Sequence, residues 1–481
     1  MRNGVALIYP FFREKDPVED EKLFPPLSVA YLAGQMKDRG LAVSVHDGTF
    51  STPDDIVRDV ALDKPAIVSI YLMITMCRNA MDLLERIKKE LPDTLFIAGG
   101  PLATLYPERF AGMFDVVFCG EGDLTVARFC DEYYRTGCGP GSLFALDLTT
   151  YPGIFLYRNG RDRKGRDFSG RDVTAGDFRS RDNAGEGKTG METGGQDSEK
   201  TVISTPPLHH PIEVIERLPL PDRSVFDHRR YQEFWEHAQG CRMTSIMVTR
   251  GCPYSCDFCS KPIWGNDYRR PALDRVFAEL RDILSYGYDR LWIADDSFTL
   301  DKGYLEEFCR RKIAEGLSFT WTCLSRVDRL DEEIVGLMKD AGCVRVHLGL
   351  ESGNDETLKL MGKRVSVKDG IEAVRLFHEA GIGTAGFFIV GYPGETEESI
   401  HQTLDLATTL QLDEISINVP FPLPGSPLFS RVAAVDTTAD WNTANEISFI
   451  YESGFDEAWL RDQIRRAREA FAKKKKDDRG V

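Results

Sequence analysis

Three closely spaced cysteines are the residues of this chain best suited to chemistry. Cys252, Cys256 and Cys259 stand in the segment TRGCPYSCDFCS, directly after a predicted strand at Ser245–Thr249. Thiolates gathered on one loop favour an iron–sulfur cluster. Three ligands leave one iron of a [4Fe–4S] cluster open, and an open position on a metal can bind a substrate. Phe258, just before the last cysteine, can shield such a cluster from solvent.

Two alternative roles for these cysteines stay open. They could be ordinary buried thiols, or they could hold a structural zinc ion, whose fourth ligand would be Cys241 or His237. The chain has 11 cysteines, an odd number spread over a long sequence. We therefore do not expect a disulfide framework.

Composition and charge limit the classes of protein. A chain of 481 residues is too long for one core, which predicts two or three domains. The formal net charge of −16 argues against a non-specific nucleic-acid partner, because binding phosphates requires surplus Lys and Arg. We interpret Lys473–Lys476 as a solvated helix end.

The sequence shows no targeting or membrane signal. The N-terminal MRNGVALIYPFF has no small-residue cleavage site behind it. No apolar stretch approaches the roughly 20 residues needed to cross a bilayer. We therefore expect a cytoplasmic protein without a transmembrane segment.

Residues 1–135 alternate short β-type runs with amphipathic stretches, which predicts a Rossmann-like domain with a mainly parallel sheet between helices. Ligands of such sheets bind outside the carboxyl ends of the strands. The turns Gly99-Gly100 and Gly120-Glu121 lie there, although tight turns alone indicate no ligand. The predicted strands are Val5–Tyr9, Ala42–His46, Ile67–Tyr71, Leu95–Ala98 and Val116–Cys119.

The rest of the chain divides into three parts. Residues 136–235 form a predicted linker, in which residues 158–200 are rich in Arg, Asp and Gly and cannot bury enough apolar surface to order themselves. We interpret that stretch as a mobile insertion without a role in chemistry. Residues 236–427 contain six strand–helix units, which predict a partial (β/α)6 TIM barrel with its working face at the carboxyl ends of the strands. Residues 428–481 form a C-terminal helical extension.

The cysteine triplet and the order of the later motifs resemble the radical S-adenosylmethionine (SAM) superfamily. More narrowly, they resemble the subgroup that carries an N-terminal cobalamin (B12)-binding domain. The resemblance covers nearly the whole chain outside residues 136–210. It implies a [4Fe–4S] cluster on Cys252, Cys256 and Cys259, whose open iron binds SAM. It also implies that an external donor of the flavodoxin or ferredoxin type supplies an electron, which splits SAM into methionine and a 5′-deoxyadenosyl radical.

The resemblance assigns SAM contacts at the ends of two strands. The segment Ala294–Phe298 matches the place where the family binds the SAM amino group, which implicates Asp295 and Asp296, although this carboxylate pair could instead cap a helix. Arg326 ends the third strand and could pair with the SAM carboxylate or form a surface ion pair.

Three more SAM contacts follow from later motifs. Glu351, in the segment Gly349–Gly353, is expected at the ribose or methionine end of SAM, with Lys363 nearby. The segment Gly386–Thr396 matches the adenine side, where Gly391 permits close approach.

In the first domain the resemblance implies that the loops hold cobalamin. The segment Leu23–Ala33 resembles the opening of such domains, and the carried-over residues are Ser69, Gly99, Gly100, Gly120 and Glu121. The Asp-x-His-x-x-Gly motif of other B12 proteins is absent, and His46-Asp47-Gly48 has the wrong spacing. Nothing in the sequence therefore resembles a His ligand to cobalt.

The function implied by the resemblance is methyl transfer from methylcobalamin to an unactivated carbon or phosphorus of a small-molecule, lipid or tetrapyrrole substrate. One alternative is oxidative ring formation, as in the anaerobic magnesium-protoporphyrin monomethyl ester cyclase. A tRNA methylthiotransferase is a further alternative. It is disfavoured because those enzymes carry a second cysteine triplet and a basic RNA-binding module.

Overall fold

The computed structural model describes residues 4–13, 22–138, 142–158, 201–207, 209–259, 265–435 and 449–479. Nearly all of the predicted insertion at 158–200 lies outside the described residues. The described residues up to Tyr231 form one unit, and those from Gln232 onward form a second.

The first unit is built on a seven-stranded sheet. Its strands are β1 (Val5–Tyr9), β2 (Val43–Asp47), β3 (Ile67–Tyr71), β4 (Leu95–Gly99), β5 (Val116–Phe118), β6 (Ile154–Arg158) and β7 (Thr201–Ser204). Their spatial order is β2-β1-β3-β4-β5-β6-β7. The first five strands pair in parallel, as predicted.

Helices cover both faces of this sheet. They are α1 (Leu27–Asp38), α2 (Pro53–Asp63), α3 (Cys77–Glu90), α4 (Pro101–Leu105), α5 (Pro107–Phe110), α6 (Asp123–Arg135), α7 (Ile212–Ile215) and the start of α8 (His228–Gln239). Alternate residues of β1 enter different cores, because side chains of a strand point to opposite faces. Val5 and Leu7 pack with residues of α1 and α6, whereas Ala6 and Ile8 pack with residues of α2 and α3.

Strands β6 and β7 were not predicted. β6 pairs antiparallel with β5, and β7 pairs antiparallel with β6. These two strands lie within the stretch interpreted as a linker, on either side of residues 159–200. They extend the sheet of the first unit beyond its parallel part.

The second unit contains a six-stranded parallel sheet in sequential order. Its strands are β8 (Met243–Ile246), β9 (Arg290–Ile293), β10 (Thr320–Ser325), β11 (Cys343–Glu351), β12 (Gly383–Ile389) and β13 (Glu414–Asn418). Its helices are α9 (Leu273–Ser285), α10 (Lys302–Ala314), α11 (Glu332–Asp340), α12 (Asp355–Leu360), α13 (Val367–Glu379), α14 (Glu397–Thr409), α15 (Pro427–Arg431) and α16 (Glu457–Arg479). The predicted fold class is confirmed.

Side-chain caps set where several of these helices begin. Asp301 accepts from the Tyr304 N–H at 2.9 Å at the start of α10. Ser366 and Thr396 form capping boxes at α13 and α14. Caps satisfy N–H groups that the helix itself leaves unpaired. Each cap therefore fixes the residue at which a loop ends and its helix begins.

The Lys473–Lys476 run is only partly a solvated helix end. Lys474 Nζ donates to the carbonyls of Thr408, Thr409 and Leu410, at 3.0, 2.9 and 3.0 Å. A cation favours the carbonyl end of a helix, so Lys474 joins α16 to the end of α14. Within the described residues, no helix is both long enough and apolar enough to span a membrane.

Candidate active site

The loop that carries the three cysteines is closed at its base by backbone hydrogen bonds. The loop follows β8, and Arg250 and Arg269 exchange N–H···O bonds across its two ends, each 2.9 Å long. Within the loop, the Cys259 N–H donates to the Cys256 carbonyl at 3.2 Å. All three cysteines, Cys252, Cys256 and Cys259, are only partly buried. The base of the loop is therefore held, while its thiols are not enclosed in the core.

The spacing of the thiols bears on the zinc alternative. Zinc bound by thiolates holds their sulfurs about 3.8 Å apart, given tetrahedral Zn–S bonds of about 2.3 Å. One group of side chains in the described part of the chain brings three possible ligand atoms within 4.8 Å of one another, and it contains none of the three cysteines. It contains neither Cys241 nor His237. A four-iron cluster binds its ligands at separate corners. The three thiols are therefore not spaced as ligands of one zinc ion, and the cluster on Cys252, Cys256 and Cys259 stays a prediction.

The Cys252 thiol lies in an environment that favours its neutral form. Burial raises its pKa, a backbone hydrogen bond involving Tyr254 lowers it, Asp296 and Cys256 raise it, and Arg326 lowers it. Metals bind the thiolate and release the proton. A bound metal would therefore supply the positive charge that this site needs.

Arg326, just after β10, lies against the cysteine loop. Its guanidinium is 3.6 Å from the centre of the Tyr254 ring, and its Nη1 is 3.9 Å from Cys256 Sγ. Nε donates to Asp328 at 2.7 Å, and Nη2 donates to the Lys363 carbonyl at 2.8 Å. The pairing of Arg326 with the SAM carboxylate stays a prediction.

Glu351 and Lys363 form a buried ion pair. Lys363 Nζ is 2.6 Å from Glu351 Oε1, and each side chain is 8% exposed. The register between β11 and β12 shifts here, and Glu351 has a φ of 63°, in the left-handed region. Such irregular backbone re-aims side chains next to functional sites. Lys363 Nζ also lies 5.9 Å from the Phe258 ring centre, so three predicted site residues lie close together.

Asp295, after β9, binds the segment just after β8 rather than facing open space. Its carboxylate accepts from the N–H groups of Val248 and Thr249 at 2.7 and 2.8 Å, and from Thr249 Oγ1 at 2.7 Å. The side chain is buried, and burial raises its pKa to about 7. Asp296 beside it is exposed. Contact with the SAM amino group stays a prediction for both, and it is sterically easier for Asp296.

Gly391 contacts the C-terminal segment. Its φ is 80°, and a Cβ there would lie 2.8 Å from the Phe449 ring and 2.9 Å from a methyl of Leu460. The glycine therefore permits close packing of α16 and the residues before it. Its predicted place beside the SAM adenine stays a prediction.

In the first unit, the predicted cobalamin residues lie in or just after neighbouring strands. Ser69 lies in β3, and Gly99 ends β4 with nothing within 4 Å of where its Cβ would stand. Gly100 has a φ of 109°, and a Cβ there would meet the Leu72 carbonyl at 2.6 Å. The Gly120 N–H, after β5, donates to Thr104 Oγ1 at 3.0 Å. This edge leaves open space at Gly99, as a bound ligand requires.

The sequence analysis missed two histidines beside Glu121. The buried Glu121 carboxylate accepts from the His210 N–H at 3.2 Å, and His209 Nδ1 lies 3.7 Å from it. Glu121, Asp123 and His210 each place a possible metal-ligand atom within 4.8 Å of the others. Asp123 also begins α6, where a carboxylate is favoured without a metal. No local signal could show this group, since 89 residues separate Glu121 from His210.

Comparison with known proteins agrees with both halves of this description. Residues 246–407 match the family model of the Radical SAM superfamily. Residues 19–129 match the model of the B12 binding domain. The chain combines a B12-binding domain with a radical SAM domain. These domains imply cobalamin in the first unit, and a [4Fe–4S] cluster with SAM in the second.

Relatives that match this chain span most of its length. It is 27% identical over 467 residues to the uncharacterized methyltransferase PH0819 of Pyrococcus horikoshii, in a match that covers 92% of this chain and 89% of that protein. It is 26% identical over 451 residues to the anaerobic magnesium-protoporphyrin IX monomethyl ester cyclase of Rubrivivax gelatinosus, covering 92% and 72%. The fold resembles the radical SAM methyltransferase TsrM of Kitasatospora setae, with a TM-score of 0.66 at 18% identity over 90% of this chain and 78% of TsrM.

Proposed function

We propose that this protein is a cobalamin-dependent radical SAM methyltransferase. It transfers a methyl group to an unactivated carbon or phosphorus of a small-molecule, lipid or tetrapyrrole substrate. When bound, the cluster with SAM supplies a hydrogen-abstracting radical, and cobalamin supplies the methyl group. The observation that carries the proposal is the presence of both domains in one chain, which matches a methyltransferase relative over nearly its whole length. Holding two cofactors on one chain replaces a diffusional encounter.

In this proposal the residues of the second unit bind and orient. Cys252, Cys256 and Cys259 hold the cluster. Arg326 places a positive charge next to the Cys256 thiolate, at 3.9 Å. Glu351 presents its carboxylate toward SAM, with Lys363 fixing its direction through the buried ion pair.

The remaining predicted SAM contacts are assigned by position. Asp296 is the exposed carboxylate after β9, and we assign it the SAM amino group, with Asp295 holding the loop. Gly391 lies in the turn after β12, and Phe258 packs against the residues of this turn. We assign Gly391 to the adenine side of the site and Phe258 to the cluster side.

In the first unit we assign cobalamin to the carboxyl edge formed by Gly99, Gly100, Gly120 and Glu121, together with Ser69 within β3. The open space at Gly99 supports this assignment. We retain a division into residues 1–135, 136–235, 236–427 and 428–481, with β6 and β7 joining the sheet of the first part.

Ring-forming oxidation is the second candidate function. The cyclase relative aligns over 92% of this chain, so the alignment alone does not separate the two reactions. They differ in products: methyl transfer yields S-adenosylhomocysteine together with deoxyadenosine, whereas cyclisation yields no S-adenosylhomocysteine.

The proposal extends to partners and location. The 11 cysteines all lie in described segments, and none of them forms a disulfide there. Free thiols suit a reducing compartment, and we therefore place the protein in the cytoplasm. A flavodoxin- or ferredoxin-type protein would supply the electron. The net charge of −16 supports the absence of a nucleic-acid partner.

Anaerobic reconstitution followed by product analysis tests the proposal. We expect about four irons per chain, a corrin absorption band, and release of both deoxyadenosine and S-adenosylhomocysteine. The variant C256A should release no deoxyadenosine, and C241A is its matched control. Zinc at this loop, or turnover by C256A, would refute the cluster assignment. Deoxyadenosine without S-adenosylhomocysteine would favour the cyclisation alternative.

A further inference from the structure

Arg431 contacts three separate segments around the cysteine loop. It is the last residue of α15, outside the stretch that matches the radical SAM model. Its Nη1 donates to Asp257 Oδ2 at 2.8 Å and to the Leu360 carbonyl at 3.0 Å, and its Nη2 donates to the Pro393 carbonyl at 3.4 Å. Asp257 directly follows Cys256. One guanidinium therefore joins the cysteine loop to the end of α12 and to the turn that follows β12.

Backbone contacts support the same junction. The Asp257 N–H donates to the Met361 carbonyl at 2.9 Å, and the Leu428 N–H donates to the Asp257 carbonyl at 3.0 Å. Gly362 has a φ of 63°, and a Cβ there would lie 2.9 Å from the Ser255 carbonyl. The turn after α12 thus lies directly against the cysteine loop.

An apolar cluster lies beside these polar contacts. Met361, Tyr392 and Leu428 are fully buried together, and Phe258 packs against them. The Arg431 guanidinium is 5.6 Å from the centre of the Tyr392 ring. Each of the three segments therefore contributes both an acceptor for Arg431 and a side chain to this cluster or its border.

The ion pair alone does not explain this arrangement. The side chains of Arg431 and Asp257 are 35% and 22% exposed, and partly exposed ion pairs contribute little to stability. The planar guanidinium differs from an ammonium because its donors point in fixed directions. Its geometry suits it to hold three acceptors in a defined relation.

We propose that Arg431 is a positioning residue that sets the distance between the cysteine loop and the turns after α12 and β12, and thereby the affinity for SAM. SAM must meet the open iron and the residues of these turns at the same time. A displacement of either group by about 1 Å can cost on the order of 100-fold in such an arrangement. The inference rests on the cluster-and-SAM part of the proposed function and does not depend on methyl transfer.

The test uses full-length, reconstituted protein and the variants R431Q, R431K and D257N. R466Q is the matched control, because Arg466 forms an exposed ion pair with Asp462 on α16. For each variant we would measure iron content, the thermal midpoint, the SAM-induced change in the electron paramagnetic resonance spectrum of the reduced cluster, and the KM for SAM in deoxyadenosine formation. A merely structural role would change the first two measurements and leave the SAM-dependent ones unchanged per bound cluster.

We expect R431Q and D257N to raise the KM for SAM by about 10- to 100-fold at full iron content, with a smaller rise for R431K. The double variant should be no worse than the worse single variant, because the two residues act through one contact. An unchanged KM and spectrum in R431Q at full iron content would overturn the inference. If R431Q loses iron, the inference is tested with R431K instead. A KM for SAM in R431K equal to that of the wild type would then overturn the inference. Absence of deoxyadenosine from the wild type would instead refute the proposed function.

Discussion

The buried ion pair between Glu351 and Lys363 lies over the α-carbon of Gly349. Glu351 Oε1 and Lys363 Nζ are 2.6 Å apart. A Cβ on residue 349 would lie 2.6 Å from Glu351 Oε1 and 2.7 Å from Lys363 Nζ. The absence of a side chain at 349 and the left-handed backbone at 351 are therefore two requirements of one arrangement.

Replacing Gly349 with Ala should displace the ion pair. The neighbours of the new Cβ are ends of flexible side chains, so we expect a moderate loss of about 1–3 kcal/mol in the free energy of unfolding together with a higher KM for SAM. Gly336→Ala is the control, since Gly336 lies in α11 with nothing within 4 Å of its Cβ position. That change should stabilise the protein by about 0.4–1 kcal/mol. Equal effects of the two substitutions on SAM binding would contradict the interpretation.

Removing one partner of the Glu351–Lys363 pair should cost far more than removing both. Each single change, E351M or K363M, leaves a buried charge alone, at a cost of about 3–5 kcal/mol. The double variant leaves no buried charge and should recover most of that loss. Denaturant unfolding of SAM-free protein measures all three. K359M, in the exposed pair with Glu356, should change stability by less than about 1 kcal/mol. Additive losses in the double variant would show that the two charges do not interact.

Much of the architecture could be predicted because its signals are local. Buried strands such as Val5–Tyr9 are short apolar runs, and helices end near glycines, so the alternation of strand and helix is readable. The spacing of Cys252, Cys256 and Cys259 is local as well. β6 and β7 escaped prediction because more than 40 residues separate them in the sequence.

The parts that could not be predicted depend on contacts between distant segments. Asp295 lies just after β9, as expected, but its donors lie just after the neighbouring strand β8, 46 and 47 residues earlier. Asp257 and Arg431 are 174 residues apart. Which side chain meets which across a sheet depends on register and packing, and a single sequence does not encode these as a local pattern.

Gly99 and Gly100 provide a matched pair for testing the cobalamin assignment. Gly99→Ala should leave stability nearly unchanged, because its Cβ position is open, yet it should weaken cobalamin retention if the corrin approaches this edge. Gly100→Ala should destabilise the protein by about 1–3 kcal/mol, because its backbone conformation is nearly exclusive to glycine and its Cβ would meet the Leu72 carbonyl. Corrin absorbance after gel filtration and thermal unfolding measure the two effects. Full cobalamin retention by G99A at normal stability would place the corrin away from Gly99.

Asp295 should make stability depend on pH. Its folded-state pKa of about 7 lies above the value of about 3.9 expected for an unfolded chain. Between about pH 4 and about pH 7 the folded protein therefore keeps a proton that the unfolded chain has released, so the contribution of this carboxyl to stability falls as pH rises through that window and is constant above it.

The variant D295N removes this titration. The free-energy advantage of wild type over D295N should shrink as pH rises, by at most about 1.4 kcal/mol per pH unit, and then level off above about pH 7. Urea unfolding at intervals between about pH 5 and about pH 8 measures it, with D340N, at an exposed position, as the control. A difference that stays constant with pH would show that Asp295 is ionised throughout. A raised KM for SAM in D295N, but not in D296N, would indicate that Asp295 rather than Asp296 binds the SAM amino group.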